Sequence, residues 1–183
     1  MKNIFAGLLA ACALLGGLAA AETNGGMRPS DAALAKKLTH QIRMYPRYSI
    51  FDNISFSVNE GRVALFGAVN EPYKKSDLEH IVQRLPGVAS LTDEIKVLPP
   101  SPLDDRLRMQ VARAIYRDPV LSRYAMEAVP PIHIIVDAGH VTLEGEVSTD
   151  MEKNVAGIRA NGAGLSFGQV TNNLRVENPS HQS

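Results

Sequence analysis

The spacing of hydrophobic and polar positions passes through the same series of patterns twice along the chain. Each half begins with an apolar stripe at helical spacing, continues with two runs in which apolar and polar residues alternate, returns to helical spacing and ends in a short alternating run. This order predicts α-β-β-α-β in each half. The fold class is therefore α+β, with two tandem units, each a small three-stranded mixed sheet with two helices on one face.

The clearest repeat is the pair of alternating runs at 54–69 and 132–147, which align without a gap. Seven of the 16 aligned positions are identical. Gly61 and Gly139 stand between the runs, where a tight turn needs a positive φ, so each copy predicts a β-hairpin. A second glycine of each copy lies inside the following strand and suits a bulge or close helix packing: Gly67 and Gly145.

The second helix of the second unit has a start signal and an apolar stripe. Thr149 and Glu152 have the spacing of a capping box. The apolar positions that follow are expected to face the core: Met151, Val155 and Ile158. Glycines at 157, 162 and 164 predict looser structure toward the end of this helix.

A proline-rich break separates the two units. Pro99-Pro100-Ser101-Pro102 can continue neither a helix nor a strand ladder, so it predicts a short, stiff linker. Each unit has about 70 residues, near the lower limit for a core of its own. The predicted divisions are a signal peptide at 1–21, a tether at 22–29, the first unit at 30–98, the linker at 99–102, the second unit at 103–177 and a tail at 178–183.

The N-terminal segment has the pattern of a secretory signal peptide. Lys2 precedes an apolar run that ends in the small residues Ala19-Ala20-Ala21. Two alternatives stay open: Leu9-Ala10-Ala11-Cys12 is similar to a lipobox, and the apolar run just reaches the length of a membrane span. The first interpretation predicts a periplasmic protein, and the lipobox predicts a lipoprotein anchored through Cys12.

Composition narrows the classes of function. The 183 residues carry 19 basic and 19 acidic side chains, and removal of the leader leaves a net charge of −1. Export and this charge disfavour nucleic acid as a partner. The only cysteine, Cys12, lies in the leader, which excludes a disulfide or a cysteine zinc site in the mature chain. Since no phosphate-binding loop occurs, we predict no cofactor and no small-molecule substrate.

Three patterns could carry chemistry, and each has a simpler structural interpretation. The segment Gly164-Leu165-Ser166-Phe167-Gly168 matches the hydrolase pattern G-x-S-x-G, but it follows a helix and precedes a strand, the reverse of a nucleophile elbow. His133 and His140 flank the second turn with Asp137 between them; without a third convergent ligand they are interpreted as surface residues. Asp104-Asp105 stand in the first turn of a helix, where the macrodipole explains them. We therefore predict a protein that is not an enzyme and holds no metal.

Basic residues recur at helical spacing near the first helix of each unit. The first set is Lys36, Arg43 and Arg47 with His40, and the second set is Arg106, Arg113 and Arg117 with Gln110. Such stripes suit the anionic headgroups of a phospholipid surface, at about 1 kcal/mol per basic residue. A solvated outer helix face is the alternative interpretation.

The two units resemble the BON domain family. The resemblance lies in Asp118-Pro119 after a helix, in G-x-V-x-L-x-G-x-V in both hairpins, and in closing segments at 87–97 and 170–176. It implies a tandem-BON protein of the periplasm or outer membrane of Gram-negative bacteria. It further implies a link to envelope integrity and osmotic stress, and binding to phospholipid surfaces.

Two classes of function follow from these observations. The first is binding of an anionic phospholipid surface, and the second is binding of envelope proteins at an exposed strand edge, as an interaction or chaperone-like module. The outer sheet face differs between the units. It is small or apolar in the first unit, at Ser55, Ser57, Ala64, Phe66 and Ala68, and polar in the second, at His133, Thr142, Glu144 and Glu146.

Overall fold

The structure is a computed structural model that describes residues 28–164 and 170–177. The predicted signal peptide with Cys12, the tether up to residue 27, Ser166 and the tail lie outside the described residues. Two α-β-β-α-β units are present, which confirms the predicted fold class. Within the described residues, no helix combines the length and apolar character needed to cross a membrane.

The elements occur in the same order in both units. The first unit contains α1 (Pro29–Arg43), β1 (Asn53–Asn59), β2 (Arg62–Val69), α2 (Pro72–Gln83), β3 (Ser90–Asp93) and β4 (Lys96–Val97). The second contains α3 (Pro102–Tyr116), a short 3₁₀ helix (Ser122–Met126), β5 (Ile132–Asp137), β6 (His140–Val147), α4 (Asp150–Asn161), β7 (Thr171–Asn172) and β8 (Arg175–Val176).

Each sheet is mixed, because its hairpin is antiparallel and the strand that returns after the helix is parallel. β3 and β4 both pair with β2, and β7 and β8 both pair with β6. The predicted third strand of each unit is therefore interrupted, and its two short segments pair with the same hairpin strand. The break is a local turn in which the side chain of Asp93 accepts the N–H of Ile95 at 2.8 Å, and that of Asn172 accepts the N–H of Leu174 at 3.3 Å.

Buried aspartates hold the two hairpin turns. Asp104 accepts the N–H of Ala138 at 3.1 Å and that of Gly139 at 2.9 Å, and Asp31 bonds to the first turn in the same way. Gly61 and Gly139 have the predicted positive φ. The macrodipole interpretation of Asp104 is thus incomplete, since its carboxylate is buried and bonded to the turn rather than exposed at the helix end.

The two strand glycines, Gly67 and Gly145, permit a close approach between strands. Both have a φ of +111°. A Cβ atom at Gly67 would lie 2.0 Å from the carbonyl oxygen of Asn53, and one at Gly145 would lie 1.9 Å from that of Pro131. The close neighbour is therefore the opposite strand, and the alternative of helix packing at these glycines is wrong.

α4 presents a different face to the core from the predicted one. Its buried positions are Glu152, Ala156, Gly157 and Ala160, whereas Met151 is 62% and Ile158 is 67% exposed. Of the three predicted core positions, Val155 packs partly buried against the core. Small residues allow the helix to lie close to the sheet: the side-chain amide of Asn172 fits against Gly157. The predicted capping box at Thr149 and Glu152 is confirmed.

Candidate functional site

A shallow basic pocket lies between the two helices of the second unit. Its volume is about 670 Å³, and Arg113, Arg117 and Arg159 line it together with Ile158. Arg113 is in the last turn of α3 and Arg117 is the residue that caps its end, so the two side chains project from one side of the helix. Arg159 reaches the same pocket from α4.

Asp118 fixes the position of Arg159. Its carboxylate accepts the N–H of Val120 at 2.8 Å and the Nε–H of Arg159 at 2.6 Å. These contacts, first the Val120 amide and then Arg159, lower the pKa of Asp118. Three arginines against one aspartate give the lining a net charge of +2, which suits a phosphate group or another oxyanion.

Large apolar side chains are exposed on the two helices that form this pocket. Ile158 lines it, and Met151 is two helical turns earlier on α4, so both share a face of that helix. On α3, the exposed Met109 precedes Arg113 by one turn, and Leu103 is exposed near the start of the helix. Cationic and apolar groups on one outer surface are typical of proteins that rest on a membrane interface.

The two predicted basic stripes do not occupy equivalent places. The matching turn contacts of Asp31 and Asp104 make α1 and α3 equivalent, and in this equivalence Arg43 corresponds to Tyr116 rather than to Arg113. Arg43 lines clefts between the two units. The basic pocket of the second unit therefore has no counterpart built from the same residues in the first.

The other predicted basic residues are dispersed. α1 ends at Arg43, so Arg47 is not on the helix; its guanidinium lies 4.9 Å from the ring centre of Tyr73 and 3.7 Å from Asp77. Lys36 and Arg106 are exposed on their helices, outside the basic pocket. Of the six predicted residues, the structure brings together Arg113 and Arg117.

Arg159 is the pocket residue that sequence reasoning missed. The sequence carries a signal for it, because Arg159 directly follows Ile158 and its partner Asp118 belongs to the Asp118-Pro119 motif. The prediction that Ile158 faces the core excludes the neighbouring Arg159 from the outer surface on which the pocket lies. The small residues at 156, 157 and 160 were the clue that the other side of α4 faces inward.

His133 is buried rather than exposed, so its interpretation as a surface residue is wrong. Only 8% of the residue is exposed, its ring centre lies 5.4 Å from that of Tyr48, and its Nδ1 atom has no hydrogen-bond partner among the described residues. Asp137 instead forms an ion pair with Lys96 of the first unit. The described residues contain no group of three side chains that could hold a metal ion.

Comparison with known families identifies both units. The profile of the BON domain family matches residues 30–99 and again residues 104–178, so the chain belongs to this family and contains two copies of its domain. No curated protein matches the chain significantly.

Two solved structures show similarity to the chain. One is CdsD, a structural protein of the type III secretion system of Chlamydia trachomatis, at 18% identity and a TM-score of 0.31, covering 79% of this chain and 61% of that one. The other is the C-terminal domain of CdsD from the same organism, at 19% identity and a TM-score of 0.31, covering 79% of this chain and 64% of that one. The chain thus spans less than two thirds of either structure.

Proposed function

We propose that the protein binds anionic phospholipid surfaces of the cell envelope through the outer side of α3 and α4. The observation that carries this proposal is the convergence of Arg113, Arg117 and Arg159 beside the exposed Ile158. At about 1 kcal/mol per net positive charge near an anionic surface, the pocket contributes about 2 kcal/mol, because Asp118 neutralises Arg159. Entry of Ile158 and Met151 into the interface adds to this, because it removes apolar surface from water.

The cellular role in this proposal is support of envelope integrity under osmotic stress, without catalysis. Family membership and the leader-like pattern at 1–21 support a periplasmic location. Anchoring through Cys12 is the alternative. The intact mass of protein isolated from cells distinguishes a chain that begins at Glu22 from one that begins at a diacylated Cys12.

Co-sedimentation with vesicles tests the proposal. The protein should bind vesicles that contain phosphatidylglycerol and ignore vesicles of phosphatidylcholine alone, with weaker binding at physiological than at low salt. Changing Arg113, Arg117 and Arg159 to Glu should abolish binding. Changing the exposed Lys37, Arg62 and Arg84 to Glu makes the same charge change in the first unit and should reduce binding only slightly.

Two outcomes would contradict the proposal. If the control variant lost binding as completely as the pocket variant, net charge rather than the pocket would be responsible. If the wild type ignored phosphatidylglycerol even at low salt, binding of envelope proteins at a strand edge would become the leading function. One observation supports this second candidate: β1 is an edge strand, and among the described residues it pairs only with β2.

A further inference from the structure

Two of the three arginines in the basic pocket have no side-chain partner among the described residues. The guanidinium groups of Arg113 and Arg117 form neither an ion pair nor a hydrogen bond there. Both residues are exposed, and they lie four positions apart at the end of α3, so their side chains are neighbours on one side of the helix. Each therefore offers an external acceptor the five N–H donors of a guanidinium group.

The third arginine, Arg159, is held in place and still has donors available. Its hydrogen bond to Asp118, at 2.6 Å, uses the Nε–H, and its terminal NH₂ groups have no partner in the part of the chain that the structure describes. The side chain of Arg159 is 53% exposed, whereas that of Asp118 is 3% exposed. The carboxylate is therefore shielded from solvent while the guanidinium group is open to it, so an approaching ligand meets the positive charge first.

Both carboxylate oxygens of Asp118 are already engaged. Oδ1 accepts the N–H of Val120 at 2.8 Å, and Oδ2 accepts the Nε–H of Arg159. Asp118 thus compensates one positive charge without taking up the donors of Arg113 or Arg117. The pocket therefore presents three guanidinium groups while its net charge stays at +2, from three arginines and one aspartate.

The rest of the pocket lining is uncharged and largely small. It consists of Ala114, Pro119, Ile158 and Gly162. The short side chains at 114 and 162 leave room for a compact group beside the arginines. The anionic group that suits this lining is compact, carries about two negative charges and has several acceptor oxygens.

Phosphate esters differ in how well they meet this requirement. A phosphate monoester carries a charge of about −1.5 to −2 at pH 7 and has about three strong acceptor oxygens. A phosphodiester is esterified twice, so it keeps two free oxygens and a charge of about −1. Each of the three guanidinium groups can pair with its own oxygen on a monoester, whereas a diester leaves one of them without a free oxygen.

We propose that the basic pocket of the second unit binds a phosphate monoester group in preference to a phosphodiester. The inference rests on the proposed function, because it names the headgroup class that the same surface selects. A lipid such as phosphatidic acid and a soluble phosphate ester present the same three oxygens. The exposed Ile158 and Met151 on α4 favour the lipid as the source, since they can enter the membrane interface beside a bound headgroup.

Vesicles that contain either phosphatidic acid or phosphatidylglycerol test the selectivity of the purified protein. The two kinds of vesicle are matched in surface charge by their electrophoretic mobility, so that unspecific attraction is equal. The wild type should bind the phosphatidic acid vesicles about tenfold more tightly, the effect of one further hydrogen bond to a charged group.

Lysine variants separate the geometry of the arginines from their charge. Arg113→Lys combined with Arg117→Lys keeps both charges and the pair of Arg159 with Asp118, but it removes two planar forks. This variant should bind both kinds of vesicle with equal affinity. Arg62→Lys combined with Arg84→Lys makes the same exchange at exposed positions of the first unit and should keep the tenfold preference.

Soluble glycerol 3-phosphate separates the two sources of the monoester. A lipid headgroup as ligand predicts that an excess of this ester displaces the protein only weakly from phosphatidic acid vesicles, whereas a soluble ligand predicts strong displacement. Either result supports a monoester site. Equal affinity of the wild type for the two kinds of vesicle would overturn this inference and leave the proposed function intact, and so would a preference that survives in the variant of α3. Absence of binding to both vesicles at low salt would overturn the inference and the proposed function together.

Discussion

The backbone N–H of Ile134 donates to the carbonyl oxygen of Ile50 at 2.7 Å, and this bond joins the sheet of the second unit to the chain of the first. The side chains of Ile50 and Phe51 also pack against the core of the second unit. The second unit therefore depends on residues that precede the linker. The first unit gains less from the contact, since its own core lies on the other side of β1 and β2.

Replacing Phe51 by Ala should destabilise the second unit. The side chain is partly buried against that core, so we expect a loss of about 2 kcal/mol in the free energy of unfolding, below the full cost of a buried phenylalanine. Chemical denaturation followed by amide signals of each unit measures it. Phe66→Ala is the control, because Phe66 is half-buried but belongs to neither core; a larger loss in that variant would contradict the assignment.

Cleavage in the linker at 99–102 should leave two folded fragments of unequal stability. Each fragment retains its helix pair, hairpin and closing strands, so each should melt cooperatively. The fragment of the second unit should melt at a lower temperature than in the tandem, since it loses Ile50 and Phe51. Absence of any transition in both fragments would show that the units share one folding core.

The carboxylate of Asp104 should contribute more to the free energy of unfolding than its interaction with the helix dipole alone would. Asp104→Ala leaves two turn amides without this partner, that of Ala138 and the buried one of Gly139, and should cost about 2 kcal/mol. Asp104→Asn keeps one acceptor and should lose less. Equal losses in the two variants, measured by urea denaturation, would mean that the hydrogen bonds are not the source of the effect.

Local signals explain why the hairpins could be predicted and the inward face of α4 could not. Alternation of residues and a glycine at the turn act over neighbouring positions, and both hairpins and the capping box of Thr149 were predicted correctly. The inward face of α4 depends on how closely the helix can approach Asn172, which is a tertiary property. The apolar stripe with Met151 and Ile158 was therefore assigned to the wrong side.

Long-range partners explain the remaining differences. His133 is buried because Tyr48 and its neighbours, which are far away in sequence, pack against it. No local pattern in the sequence indicates this burial. Arg113 and Arg117 were predicted from helical spacing, but Arg159 joins them through the packing of α4 against α3. Local spacing thus identified two of the three arginines of the basic pocket, and the third joins them through tertiary packing.

Stability of the tandem should fall as the pH falls below about 6.5, the ordinary pKa of histidine. Burial is the main cause that lowers the pKa of His133, while the carbonyl groups of Asp52 and Ser49 and the charges of Asp52 and Glu144 oppose it. The unfolded chain then binds a proton that the folded chain resists, so acidification favours unfolding in that range. Thermal melting across this range measures the slope.

Two variants isolate the contribution of His133. His133→Gln cannot take up a proton and should show a flatter dependence of melting temperature on pH. His80→Gln changes an exposed histidine and should keep the wild-type slope. If the slope of His133→Gln equalled that of the wild type, other groups would control the response to acid.

Gly145→Ala should unfold the second unit, because two independent costs coincide at this position. The φ of +111° is strained for any residue with a side chain, at about 1–3 kcal/mol. The added Cβ atom would also lie 1.9 Å from the carbonyl oxygen of Pro131, so the strands must separate. Gly162→Ala provides the matched control, since Gly162 has a φ of −85° and its nearest contact would be 3.5 Å away. Circular dichroism should show a folded second unit in Gly162→Ala only; a folded Gly145→Ala variant would mean that the hairpin can shift to accept the methyl group.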